Sequence, residues 1–173
     1  MSGKNPGRVI RAEAIIDAGL DRVWDAWTTE RGVKSFLAPA CNIELRIDGP
    51  YEIFFDPEAE PGRRGGKGVR ILAFDPRRML SITRNAPPHL SEVRKQWTHV
   101  TVRSEETRKG QIRVTLTHDP WGEGKEWGEA FAYFTRAWVG VVLSRLKYRF
   151  SVSPIDWKNP TQIGYIIRYG IER

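Results

Sequence analysis

Three histidines, one cysteine and a glycine–lysine run are the residues of this 173-residue chain whose types could do chemistry. His89, His99 and His118 stand singly, with no second His or Cys at the short spacings that ligate zinc. His118 closes a run in which Ile112, Val114 and Leu116 alternate with polar residues, so it shares their inward face. A buried, hydrogen-bonded histidine is the reading for it, with a general base as the alternative. Cys41, between Ala40 and Asn42, has no activating neighbour in sequence and reads as a small buried hydrophobe, not a nucleophile. Ser35, Ser81 and Ser91 lack the strand–turn–helix context of a serine nucleophile. Gly65-Gly66-Lys67-Gly68 has the composition of a phosphate loop, but it precedes a strand and no Ser or Thr follows the lysine. No catalytic residue, cofactor or metal is therefore assigned.

What the chain supplies in quantity is rings: seven Trp, five Tyr and seven Phe. Trp127, Phe131, Phe134 and Trp138 recur at the spacing of one helical face, continued by Val141 and Leu146. Glu123, Glu126 and Glu129 open this segment and Arg145, Lys147 and Arg149 close it, as a helix dipole favours. The facing strands offer Tyr51, Phe55, Phe74 and Trp97, and the first helices add Trp27 and Phe36. Such rings either fill a core or wall a concave apolar pocket. As a set with His118 they form the candidate ligand-binding residues.

The elements that position these rings follow from periodicity. Ile10, Ala12, Ala14 and Ile16 alternate as a half-buried strand within 8–17. Leu20, Val23, Trp24 and Trp27 form a helical stripe, with Asp17 as its cap; Gly32 punctuates it before a short helix over 33–37. Segments 42–47 and 51–55 flank Asp48-Gly49-Pro50 as a hairpin. Residues 56–66 are a loop, and strands are expected over 68–74, 79–84, 96–105 and 111–118. The long helix comes last, about 20 residues, or roughly 30 Å. Strands that need one face covered, followed by one long amphipathic helix, give an α+β fold: a curved antiparallel sheet wrapped around that helix.

Composition removes several classes. One cysteine excludes an intramolecular disulfide framework and suits a reducing cytoplasm. No signal-type h-region opens the chain and no apolar run approaches a membrane span. The formal charge is +7, yet the clusters Arg63-Arg64, Arg77-Arg78, Arg94-Lys95 and Arg108-Lys109 fall mostly in turns, which argues against a nucleic-acid face.

Several stretches together resemble a known family. They are Val23-Trp24-Asp25-Ala26-Trp27-Thr28-Thr29, Ile43-Glu44-Leu45-Arg46 before Tyr51, 68–80, and Val114-Thr115-Leu116-Thr117-His118 with Trp121 and the closing helix. Over about 8–149 the chain is similar to the Activator of Hsp90 ATPase homologue 1-like family of the START-like (SRPBCC) superfamily. The resemblance implies the helix-grip fold and a deep apolar cavity between sheet and long helix. Residues 1–7, small and polar, read as a loose leader, and the resemblance makes 150–173 an extension beyond the family's usual end.

Three functions follow as expectations: binding of a small hydrophobic or aromatic molecule, a cyclase- or hydrolase-like reaction in the same cavity, or an Hsp90-type chaperone contact. In the extension, Ile163, Tyr165, Ile167, Tyr169 and Ile171 alternate with the residues between them. That period predicts a strand added to a sheet edge, within the domain or in a second subunit as a homodimer.

Overall fold

The computed structural model describes residues 4–5, 7–160, 163 and 167–172, with 4–5 and 171–172 by backbone alone. Strand β1 (Lys4–Asn5) is followed by β2 (Val9–Ile16), where Ile10, Ala12, Ala14 and Ile16 are all buried and the alternate residues are not. Helices α1 (Leu20–Thr28) and α2 (Glu30–Phe36) come next and bury Val23, Trp27, Val33 and Phe36. Two local readings are corrected here. Gly19, not Asp17, precedes the first turn of α1; Asp17 accepts from Gln111 Nε2 across the strand ends at 3.5 Å instead. Gly32 does not separate the helices but lies in the first turn of α2, where its N–H donates to Thr29 Oγ1 at 2.9 Å. A Cβ there would collide with the Asp25 carbonyl, so the tight α1–α2 corner requires glycine.

The hairpin of β3 (Ala40–Ile43) and β4 (Tyr51–Phe54) is antiparallel, as expected, but shorter. One further backbone bond, from the Glu44 N–H to Pro50 O at 3.0 Å, closes the pairing, and the chain then turns through Asp48, whose φ is 61°. Strands β5 (Ile71–Asp75), β6 (Met79–Arg84), β7 (Thr98–Arg108) and β8 (Gln111–Asp119) form an antiparallel meander. The short β9 (Trp121–Gly122) pairs with β1. Backbone bonds from Tyr51 to Val69 and from Ile71 to Gly49, both 2.9 Å, dock the β3–β4 hairpin beside β5.

The closing helix runs unbroken through α3 (Lys125–Arg136), a π-helical stretch (Ala137–Val142) and α4 (Leu143–Ser151). Its buried residues are Trp127, Ala130, Phe134, Trp138, Val142, Leu143, Ser144 and Leu146. Val141, read as part of the stripe, is exposed. The cause is the π turn: the Leu143 N–H bonds the Trp138 carbonyl five residues back, and the added residue rotates the stripe by one position.

A last strand, β10 (Arg168–Glu172), pairs antiparallel with β2, Tyr169 opposite Ala12, and gives the sheet order β10-β2-β8-β7-β6-β5. Of the two pairings expected for the tail, residues 168–172 make the one within the domain. Ile163 is half-buried, Ile167 buried and Tyr169 57% exposed, while Tyr165 lies outside the described residues. The connecting segment is pinned: the Ile155 N–H bonds Ser35 O at 2.9 Å and Trp157 Nε1 donates to Lys34 O at 2.6 Å. The result is α+β, a six-stranded antiparallel sheet packed on one long helix, helix-grip in form. Among the described residues no helix is long and apolar enough to cross a membrane.

Candidate functional site

Alternation along β6 and β7 builds the site. Leu80, Ile82 and Arg84 share the buried face of β6, and Thr98, Val100 and Val102 share that of β7. Trp27 from α1, Tyr51 and Ile53 from β4, and Trp138 from the π turn close over them. Between these side chains lies a cavity of about 20 Å³. That is room for about one water centre, so the deep apolar cavity implied by the resemblance is here a narrow chamber. The Trp27, Tyr51 and Trp138 rings occupy the space a larger void would need.

Beside it opens an outer cleft of about 140 Å³, between residues 55–65, residues 84–88 and the Tyr133–Phe134 turn of α3. Phe55 and Arg84 line both spaces. Phe55 is 42% exposed, a large ring left at the junction. The mouth is tied by Arg94, whose guanidinium donates to the carbonyls of Ala86, Gly62 (3.0 Å) and Gly65 (2.9 Å).

Arg84 is the unusual group. It is only 7% exposed, yet among the described residues its guanidinium has no carboxylate partner and Nε makes no hydrogen bond. Burial pulls its pKa down to about 10, with the Tyr133 phenol opposing and Arg94 adding to the fall. The guanidinium lies over the rings of Phe55 and Phe134, at 5.6 and 5.8 Å from their centroids. Gly66 leaves room for it, since a Cβ there would collide with Nη1.

A polar thread crosses the buried face nearby. Trp138 Nε1 donates to His118 Nδ1 at 2.9 Å. An indole N–H can only donate, so Nδ1 is the acceptor and the neutral ring carries its proton on Nε2. That Nε2–H meets Thr98 Oγ1 at 2.6 Å, and the Thr98 hydroxyl donates to the Arg84 carbonyl at 3.1 Å. Burial, then the nearby Arg84 charge, holds the His118 pKa well below the usual imidazole range. Both its ring nitrogens are engaged, which leaves no lone pair for proton abstraction.

Against this geometry, a family model described as Activator of Hsp90 ATPase homolog 1-like protein matches residues 17–150. The chain belongs to that family. No curated protein matches it in sequence. Solved structures share the fold. The Aha1 dimer of Colwellia psychrerythraea superposes with a TM-score of 0.63 at 19% identity, covering 84% of this chain and 97% of that one. CalU16 from Micromonospora echinospora gives 0.60 at 19%, covering 88% and 86%. An HSP90 activator from Plasmodium falciparum gives 0.60 at 12%, covering 79% and 91%.

Within this family member the ring set divides. Trp27, Tyr51, Phe55 and Trp138 line the chamber, and Phe55 and Phe134 line the cleft. Phe36 is buried edge-on against Trp27, with centroids 4.9 Å apart. Trp127 and Phe131 pack instead around Trp121, at 6.3 and 5.1 Å, at the far end of the helix. Phe74 is half-buried on β5, and Trp97 is 37% exposed over Gly68. Trp97 precedes β7 and so escapes its inward alternation.

Sequence reasoning missed Arg84 and its neighbour Asn85, which is also buried and whose Oδ1 makes no hydrogen bond. The alternation Leu80, Ile82, Arg84 carried the signal. Cys41 is half-buried, not fully buried, and desolvation raises its thiol pKa to about 11, with Glu30 adding to the rise. Among the described residues no group of three His, Cys, Asp or Glu could hold a metal ion.

Proposed function

We propose that this chain is a START-like module that binds a small hydrophobic or aromatic molecule between the sheet and the long helix, without bond-making chemistry of its own. The observation that carries the reading is the chamber and cleft meeting at Phe55 and Arg84, walled by Tyr51, Ile53, Val100 and Trp138. Few polar groups in a mostly apolar concavity are what small-molecule sites offer. The engagement of both His118 nitrogens weighs against the cyclase- or hydrolase-like alternative. A single cysteine fits a reducing, cytoplasmic setting.

A chaperone-directed contact is the second reading, favoured by the family description and by a fold neighbour that is an HSP90 activator. Native mass spectrometry of the full chain, gently desolvated after purification, separates the two. A bound small molecule at one equivalent supports the first reading. An unliganded chain that also fails to bind the apolar dye N-phenyl-1-naphthylamine overturns it.

A further inference from the structure

Two buried donors at this site make no hydrogen bond among the described residues: Arg84 Nε and the indole Nε1–H of Trp27. Both residues line the inner chamber. A buried cation without a counter-charge is costly, and protein interiors ordinarily pair it. Among the described residues no Asp or Glu forms an ion pair with Arg84; the side chains that act on its charge are Tyr133, Arg94 and Tyr51. The Tyr51 hydroxyl is committed elsewhere, donating to the Trp27 carbonyl at 2.5 Å, and its pKa is raised by burial.

Resting on the proposed ligand-binding role, we infer that the ligand is an amphiphile: an apolar, ring- or alkyl-bearing body seated in the outer cleft along Phe55, Pro87 and Phe134, and one anionic oxygen group set against Arg84. The guanidinium presents a planar fork of donors that suits a carboxylate, sulfonate or phosphate. The anion enters from the cleft side, where Arg84 meets Phe134 and the unpaired Asn85 Oδ1 accepts from any hydroxyl or amide next to it. Binding neutralises the buried charge, so the head group contributes affinity that the apolar body alone does not.

The test uses a matched pair of probes on the full chain, 8-anilinonaphthalene-1-sulfonate and its uncharged counterpart N-phenyl-1-naphthylamine, titrated by fluorescence. Wild type is expected to bind the sulfonate about tenfold or more tightly than the neutral dye. Arg84→Met is expected to bring the ratio of the two dyes' Kd values toward one, and Arg84→Lys, which keeps the charge, to retain part of the preference. Thermal melts of the three proteins without dye accompany the titrations, and Arg84→Met is expected to melt no lower than wild type. Equal affinities for the two dyes in wild type, or an unchanged preference in Arg84→Met, overturn the anionic head group and leave the apolar site standing. Failure of wild type to bind either dye overturns the ligand-binding reading and this inference with it.

Discussion

Trp138 on the long helix donates its indole proton to Nδ1 of His118 on β8, at 2.9 Å, and so ties the helix to the sheet through one buried bond. The π turn that carries Trp138 sets the height of this contact. Trp138→Phe removes the donor and leaves Nδ1 buried without a partner. We expect a loss of about 1–3 kcal/mol in urea unfolding. A Trp138→Phe protein as stable as wild type would mean that the bond contributes nothing.

The same histidine makes stability pH-dependent. Its folded pKa lies well below the usual value because burial, and then Arg84, disfavour the imidazolium. The unfolded chain takes up that proton below about pH 6.5 and the folded chain does not. Stability is therefore full above about pH 6.5 and falls as the pH drops, by up to ~1.4 kcal/mol per pH unit. Urea unfolding at about pH 7 and about pH 5.5 should differ by roughly 1 kcal/mol, with the acidic sample weaker. Equal midpoints and slopes would contradict the buried neutral ring.

Cys41 should be a slow thiol. Desolvation lifts its pKa from 9.0 to about 11, so the thiolate fraction near neutral pH is about a hundredth of that of an unperturbed cysteine. Iodoacetamide labelling should be slower than that of the urea-unfolded chain by a comparable factor. Labelling at the unfolded rate would show an accessible, unperturbed sulfur.

Removal of residues 154–173 should expose the β2 edge that β10 covers and free the contacts of Ile155 and Trp157 with α2. The expected outcome is a lower Tm and concentration-dependent association, read by light scattering, because an open edge strand invites pairing. A truncated chain as stable and as monodisperse as the full one would deny β10 a structural role.

Much of the fold was legible because burial writes a period into the chain. Ile10 to Ile16 and Ile112 to His118 alternate, and Trp127, Phe134 and Trp138 keep one helical face, so the strands, the long helix and their contact could be read directly. Two features were not. Periodicity treats any ring on the inward face alike, so Trp127 and Phe131, which pack on Trp121, could not be told from Phe134 and Trp138, which line the site. Arg84 escapes a reading by periodicity because a charged residue is ordinarily assigned to the solvent face, although Leu80 and Ile82 set its register. The π turn that exposes Val141 leaves no mark in composition either.

The binding account meets its most direct test in methyl NMR of the full chain during titration with N-phenyl-1-naphthylamine. Ile53 and Ile82, with Val100 and Val102, wall the chamber. Their methyl resonances are predicted to shift together and to saturate at one equivalent of dye. Methyls that stay unmoved there, while those of Ala26 and Thr29 shift instead, would place the dye on the helical surface around Arg149 and contradict a site between sheet and helix.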